Sequence, residues 1–264
     1  FFGSGKSHLL KILSLVLDNA TLPSGARAID LVLPRIEDEI LRGDLNRAAK
    51  IPSRSILFNI DQKSDAIGGD NESPVLEVFV KVMNELQGYY AKQGHIAQFE
   101  YDLESRGQWE PFKAAYAKAT GRTWKADLPV LETLENETFA KVYSEHFKKS
   151  YEEGLRLFDR MRENYKVSIE SFANRVKAYI DAQGQNFRLN FFVDEAGQFI
   201  GQDSKLMLNL QTVAESLATV CKGRSWVFVT SQGDLQRVLG DLRTEQGQDF
   251  TKIAARFKTR LTLT

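Results

Sequence analysis

The chain has 264 residues, 42% of them hydrophobic and 27% charged, the composition of a folded globular protein rather than a disordered one. Its 35 basic and 35 acidic residues cancel, which removes any whole-surface electrostatic drive toward nucleic acid or an anionic membrane. The single cysteine, Cys221, excludes an intrachain disulfide. No run of about 18 apolar residues and no signal-peptide pattern stands out, so the expected setting is the cytoplasm, with no membrane partner.

The opening residues Phe1-Phe2-Gly3-Ser4-Gly5-Lys6-Ser7-His8 match the end of the phosphate-binding pattern G-x-x-x-x-G-K-[S/T]. The pattern's first glycine would fall one residue before Phe1, and the strand that delivers such a loop would precede it. The sequence is therefore expected to be a piece of a longer protein, cut within the loop. Glycines let the backbone turn so that successive N–H groups face an anion. This makes Gly3, Ser4, Gly5, Lys6, Ser7 and His8 the candidate binding residues for a nucleoside triphosphate, expected to be ATP with Mg²⁺. Lys6 would reach the β- and γ-phosphates, and the Ser7 hydroxyl would ligate the metal. A helix must follow to turn its positive end toward the phosphates. His8 to Asn19 has the pattern for one, with Leu9, Leu10, Ile12, Leu13, Val16 and Leu17 forming one apolar face.

Further along, Thr21 to Arg27 reads as a turn, and Ile29 to Ile40 as a helix interrupted at Pro34. Arg54 to Ile60 is an apolar run that reads as a buried strand, followed by the polar stretch Asp61-Gln62-Lys63-Ser64-Asp65. Polar residues just past a strand's carboxyl end lie where open α/β sheets bind ligands. Pro74 opens a helix to about Tyr90. Residues 95 to 187 read as mostly amphipathic helix, with breaks near Gly121, Pro129 and Gly184. The aromatics there, Trp109, Phe112, Tyr116 and Trp124, read as core, and the isolated His95 and His146 as ordinary residues without metal-ligand company. Arg188 to Val193 and Ser225 to Thr230 read as buried strands. Between them Ser204 to Lys222 reads as a helix with Ser204 as N-cap, and Cys221 as a buried helix residue. Phe250 to Phe257 reads as a helix and Leu261 to Leu263 as a final strand. Alternation of strands and helices predicts a parallel sheet covered on both faces.

The strand Phe191-Phe192-Val193 ends in Asp194-Glu195, the form in which P-loop enzymes hold Mg²⁺ with the aspartate and polarise the attacking water with the glutamate. Alone this is a weak signal. Paired with Gly5-Lys6-Ser7, it supplies the other half of one Mg²⁺-triphosphate site, with Ser7 and Asp194 as metal ligands and Glu195 as catalytic residue.

Four stretches together resemble the P-loop ATPase of bacteriophage exclusion (BREX) anti-phage systems, a large AAA+-like protein. They are the opening residues through Leu9-Leu10-Lys11-Ile12-Leu13-Ser14, then Asn59-Ile60-Asp61-Gln62-Lys63-Ser64, Val193-Asp194-Glu195-Ala196-Gly197-Gln198-Phe199, and Val229-Thr230-Ser231-Gln232-Gly233-Asp234-Leu235. The resemblance implies an α/β P-loop NTPase fold, a three-layer αβα parallel sheet forming one ATPase domain over 1–264, with residues 62–187 as a large helical insertion. It implies that a polar residue at the end of the strand after Asp-Glu, Ser231 or Gln232, senses the γ-phosphate. It also implies that an arginine near the end, Arg256 before Arg260, acts on a neighbouring subunit's nucleotide. The implied function is MgATP-driven assembly or switching in a phage-defence complex. The implied partners are further copies of the chain and other proteins of the system, with DNA possible in the full complex though unsupported by net charge. A nucleotide-locked scaffold with little hydrolysis and a DNA-translocating ATPase are the alternative expectations.

Overall fold

In a computed structural model, residues 5–64, 73–131, 137–200 and 203–230 are described. The chain is mixed α/β and mostly helical, with a three-stranded parallel sheet. It divides into two compact units: residues 1–79 together with 167–264, and residues 80–166, which enter the first unit's sequence as a single block.

The first unit begins with α1 (Lys6–Leu17), α2 (Ala28–Val32) and α3 (Glu39–Ala49), then β1 (Ser53–Asn59) and α4 (Ile60–Ser64). Helix α5 (Pro74–Gln87) carries the chain across the division. After the second unit come α12 (Ile169–Gln183), β2 (Arg188–Asp194), α13 (Ala196–Ile200), α14 (Ser204–Val220) and β3 (Ser225–Val229). The strands lie in the order β1-β2-β3, with Asn59 opposite Asp194 and Val193 opposite Val229. Parallel pairing puts the carboxyl ends of all three strands at one edge.

Side chains alternate across a strand, and the two sheet faces are filled differently. On one face, Phe58 and Phe191 meet Phe79 of α5 and Phe172 of α12, with ring centroids 5.1–6.3 Å apart. The other face carries Ser53, Phe192 and Asp194. There α1 packs on β1 and β2, and Phe192 stacks on Phe228 of β3 at 4.5 Å. Helix α1 is anchored at its carboxyl end, where Asp18 accepts a hydrogen bond from the Ser55 N–H at 3.0 Å and Ser53 Oγ donates to the Leu17 carbonyl.

Several boundaries differ from the sequence expectation. Helix α1 starts at Lys6 rather than His8, because Gly5 takes a left-handed turn at φ 73 and acts as N-cap. The interruption expected at Pro34 is present, and it separates α2 from a distinct helix, α3, that starts only at Glu39. Pro34 sits in a short 3-10 turn (Leu33–Arg35), and Asp38 starts α3 by accepting from the N–H groups of Ile40 and Leu41. The cap of α14 is Asp203, not Ser204: its carboxylate, one residue earlier, accepts from the N–H groups of Lys205 and Leu206.

The second unit holds α6 (Gly94–Ser105), α7 (Trp109–Thr120), α8 (Trp124–Leu131), α9 (Glu137–Phe147), α10 (Tyr151–Leu155) and α11 (Leu157–Asn164). Pro129 lies inside α8 and does not break it. The proline forfeits one i→i−4 bond, and the chain stays helical past it to Leu131. Gly121 does end α7, in left-handed conformation at φ 71. The aromatics form the core here. Phe112, Tyr116 and Trp124 are buried, Trp109 packs against them half-buried, and Phe139 meets Phe158 at 4.4 Å. Glu100 is buried among them, its carboxylate accepting from Trp124 Nε1 and from the Tyr90 N–H, each at 2.6 Å. Burial pushes the Glu100 carboxyl up to about 7, against the Trp124 hydrogen bond and the Lys113 charge. Among the described residues no helix is long and apolar enough to cross a membrane.

Candidate functional site

The site forms in the first unit, where the amino end of α1 meets the carboxyl edge of the sheet. Gly5 turns the chain into α1, and its carbonyl accepts the first helical bond, from Leu9 N–H at 2.8 Å. Lys6, Ser7 and His8 therefore form the first helical turn, with Ser7 and His8 exposed and Lys6 half-buried. The free N–H groups of such a turn, with the helix dipole behind them, favour an anion.

Ser7 Oγ donates to Asp194 Oδ1 at 3.1 Å, across 187 positions of sequence. Two oxygens this close can share one hard cation. Mg²⁺ typically takes one or two protein oxygens and keeps water or phosphate in its other positions, so the pair fits that metal without a larger ligand set. Among the described residues there is no group of three or more His, Cys, Asp or Glu side chains that could hold a metal ion.

Glu195 follows Asp194 in a left-handed backbone conformation, φ 58, which costs a side-chain-bearing residue roughly 1–2 kcal/mol. The turn is held by bonds on both sides. The Glu195 N–H reaches Asp194 Oδ1 at 3.1 Å and Thr230 Oγ1 at 3.0 Å, and the Glu195 carbonyl accepts from Gln198 and Phe199. The conformation aims the Glu195 carboxylate at β1, where Oε2 accepts a hydrogen bond from Asn59 Nδ2. Asn59 is fixed in turn, because its Oδ1 accepts from the Gln62 N–H at 3.1 Å and starts α4.

The structure thus brings together Ser7, Asp194 and Glu195 of the sequence-derived set, with Gly5, Lys6 and His8 beside them on α1. Gly3, Ser4, Gln232 and Arg256, with Ser231 and Arg260, lie outside the described residues. Two site residues were not picked from sequence, Asn59 and Thr230. Both are polar residues at the carboxyl end of an apolar strand, and that position was the available signal.

No protein-family model matches this chain, and no solved structure matches it.

Proposed function

We propose that this chain is the ATPase part of an AAA+-like P-loop protein that binds MgATP and hydrolyses it, in the manner of the BREX phage-defence ATPase it resembles. The observation that carries this reading is the 3.1 Å approach of Ser7 Oγ to Asp194 Oδ1. Two sequence motifs that would serve opposite sides of one metal–triphosphate complex are neighbours in space. Lys6 and the first N–H groups of α1 would hold the phosphates. Ser7 and Asp194 would hold Mg²⁺, which when bound neutralises phosphate charge. Glu195 would take the proton of a water attacking in line. Turnover would drive assembly with further copies and with other system proteins, Arg256 acting on a neighbour's nucleotide.

One observation favours a second reading, a nucleotide-bound scaffold with little hydrolysis: the Glu195 carboxylate is engaged by Asn59 rather than free to meet a water. ATP hydrolysis measured against protein concentration, for the wild type, Glu195→Gln, Lys6→Ala and Arg256→Ala, separates the two. Specific activity that rises with concentration and is lost in all three variants is the ATPase outcome. Absent turnover, with ATP-dependent assembly intact in Glu195→Gln and lost in Lys6→Ala, is the scaffold outcome.

A further inference from the structure

We infer that Thr230 is a positioning residue for the hydrolysis, acting on the two acidic residues through its hydroxyl; the inference rests on the ATPase reading. Thr230 lies one residue past β3, and its N–H donates to the Val193 carbonyl at 3.0 Å, which extends the sheet ladder to the site. Its hydroxyl sits between Asp194 and Glu195. Since the Glu195 N–H is the donor to Oγ1 at 3.0 Å, the hydroxyl proton is the one directed to Asp194 Oδ1. Its carbonyl accepts from the Gly197 N–H at 3.3 Å on the far side of the same turn.

Thr230 therefore brackets the turn from Asp194 to Gly197, and the side chain contributes the two bonds that fix the acids themselves. On one side it supports the left-handed backbone that aims Glu195. On the other it loads Asp194 Oδ1, which also receives the Ser7 hydroxyl and the Glu195 N–H. Small displacements of catalytic groups are costly in rate, whereas phosphate binding by α1 depends on neither bond. The hydroxyl should therefore act on turnover and not on nucleotide affinity.

Valine keeps the shape of threonine and can neither accept nor donate; serine keeps the hydroxyl. The test is steady-state ATP hydrolysis, MgATP and MgADP affinity, and thermal unfolding of the intact protein with Thr230→Val, Thr230→Ser and Glu195→Gln. The expected result for Thr230→Val is a fall in kcat of up to roughly 100-fold with nucleotide Kd changed by no more than about threefold. Thr230→Ser should recover most of the rate. Turnover by the wild type that is lost in Glu195→Gln but unchanged in Thr230→Val overturns the assignment of Thr230 and leaves the ATPase reading standing. A loss in Thr230→Val that falls equally on Kd, tracks a lowered Tm and is not recovered by serine also overturns it, as a purely structural effect. A wild type with no turnover overturns the ATPase reading, and the role of Thr230 with it.

Discussion

Asn59 and Glu195, 136 positions apart in sequence, are joined by a hydrogen bond from the asparagine Nδ2 to the glutamate Oε2. The asparagine has no freedom to turn away, because its Oδ1 is committed to the Gln62 N–H as the cap of α4. The start of α4 and the proposed catalytic carboxylate are therefore mechanically linked through one side chain. The bond therefore restrains Glu195 in position, holding its carboxylate against β1.

Asn59→Ser separates the two roles. Serine caps a helix about as well as asparagine, but its side chain is too short to replace the amide donor. Basal ATP turnover should rise by a few-fold while thermal stability shifts by less than about 0.5 kcal/mol. Asn59→Asp keeps the cap and sets a like charge against Glu195, and turnover at neutral pH should fall. Equal turnover in wild type, Asn59→Ser and Asn59→Asp would show that the bond does not restrain Glu195.

Ser7→Ala tests the metal half of the site. Alanine preserves α1 and leaves Lys6 in place but removes one oxygen of the Ser7–Asp194 pair. Nucleotide affinity in the absence of Mg²⁺ should be unchanged, while the Mg²⁺ concentration needed for half-maximal binding should rise by roughly 10- to 100-fold. Isothermal titration with and without Mg²⁺ checks this. A variant with an unaltered Mg²⁺ requirement would remove Ser7 from the ligand set.

The end of α1 remote from the site sets where its first turn stands. Asp18 accepts from the Ser55 N–H at 3.0 Å and faces Arg54 at 3.5 Å. Burial raises the Asp18 carboxyl above its ordinary value, opposed by the Arg54 charge and the Ser55 bond. Removing Asp18 strands a half-buried N–H, which costs about 1–3 kcal/mol. Removing Arg54 loses an ion pair whose arginine side chain is 56% exposed, worth about 0–1 kcal/mol. Denaturant unfolding should therefore rank Asp18→Ala as clearly more destabilising than Arg54→Ala, and Asp18→Ala should also weaken nucleotide binding as α1 loosens. The reverse ranking would mean that the ion pair, not the backbone bond, holds the helix.

The helices and strands around the site were legible because local pattern decides them. The apolar face of α1, the unbroken apolar run of β2 and the polar ends of the strands are all properties of consecutive residues. Asn59 and Thr230 were not legible in the same way. Their roles depend on the register that sets Asn59 opposite Asp194 and Val229 opposite Val193, and pairing between strands so far apart in sequence leaves no local trace. Ser231 and Gln232, the residues singled out at the end of β3 for the γ-phosphate, lie outside the described residues. The left-handed turn at Glu195 was equally hidden, since a glutamate there carries no glycine-like signal. The cap of α14 was misplaced by one residue for a simpler reason: Asp203 and Ser204 are both good caps, and the charged acceptor won.

The second unit offers a prediction that does not depend on nucleotide. Glu100 is 2% exposed and His95 6%, and their environments push them in opposite directions. Burial raises the Glu100 carboxyl from its ordinary 4.5 to about 7. Burial, then the nearby Arg162 charge, lowers the His95 imidazole from 6.5 to about 4. Between those bounds the folded chain keeps a proton on Glu100 that the unfolded chain has released, so this group's contribution to stability falls as pH rises from 4.5 toward 7. For His95 the unfolded chain holds the proton that the folded chain lacks, so its contribution grows as pH rises from about 4 to 6.5. The two slopes oppose each other over their shared window. Thermal unfolding from about pH 4.5 to 7.5 should show Glu100→Gln gaining stability relative to wild type as pH rises, by up to roughly 1.4 kcal/mol per pH unit. His95→Gln should lose stability relative to wild type over the same range. Variant profiles that run parallel to the wild type would mean that neither group's proton affinity differs between the folded and unfolded chain.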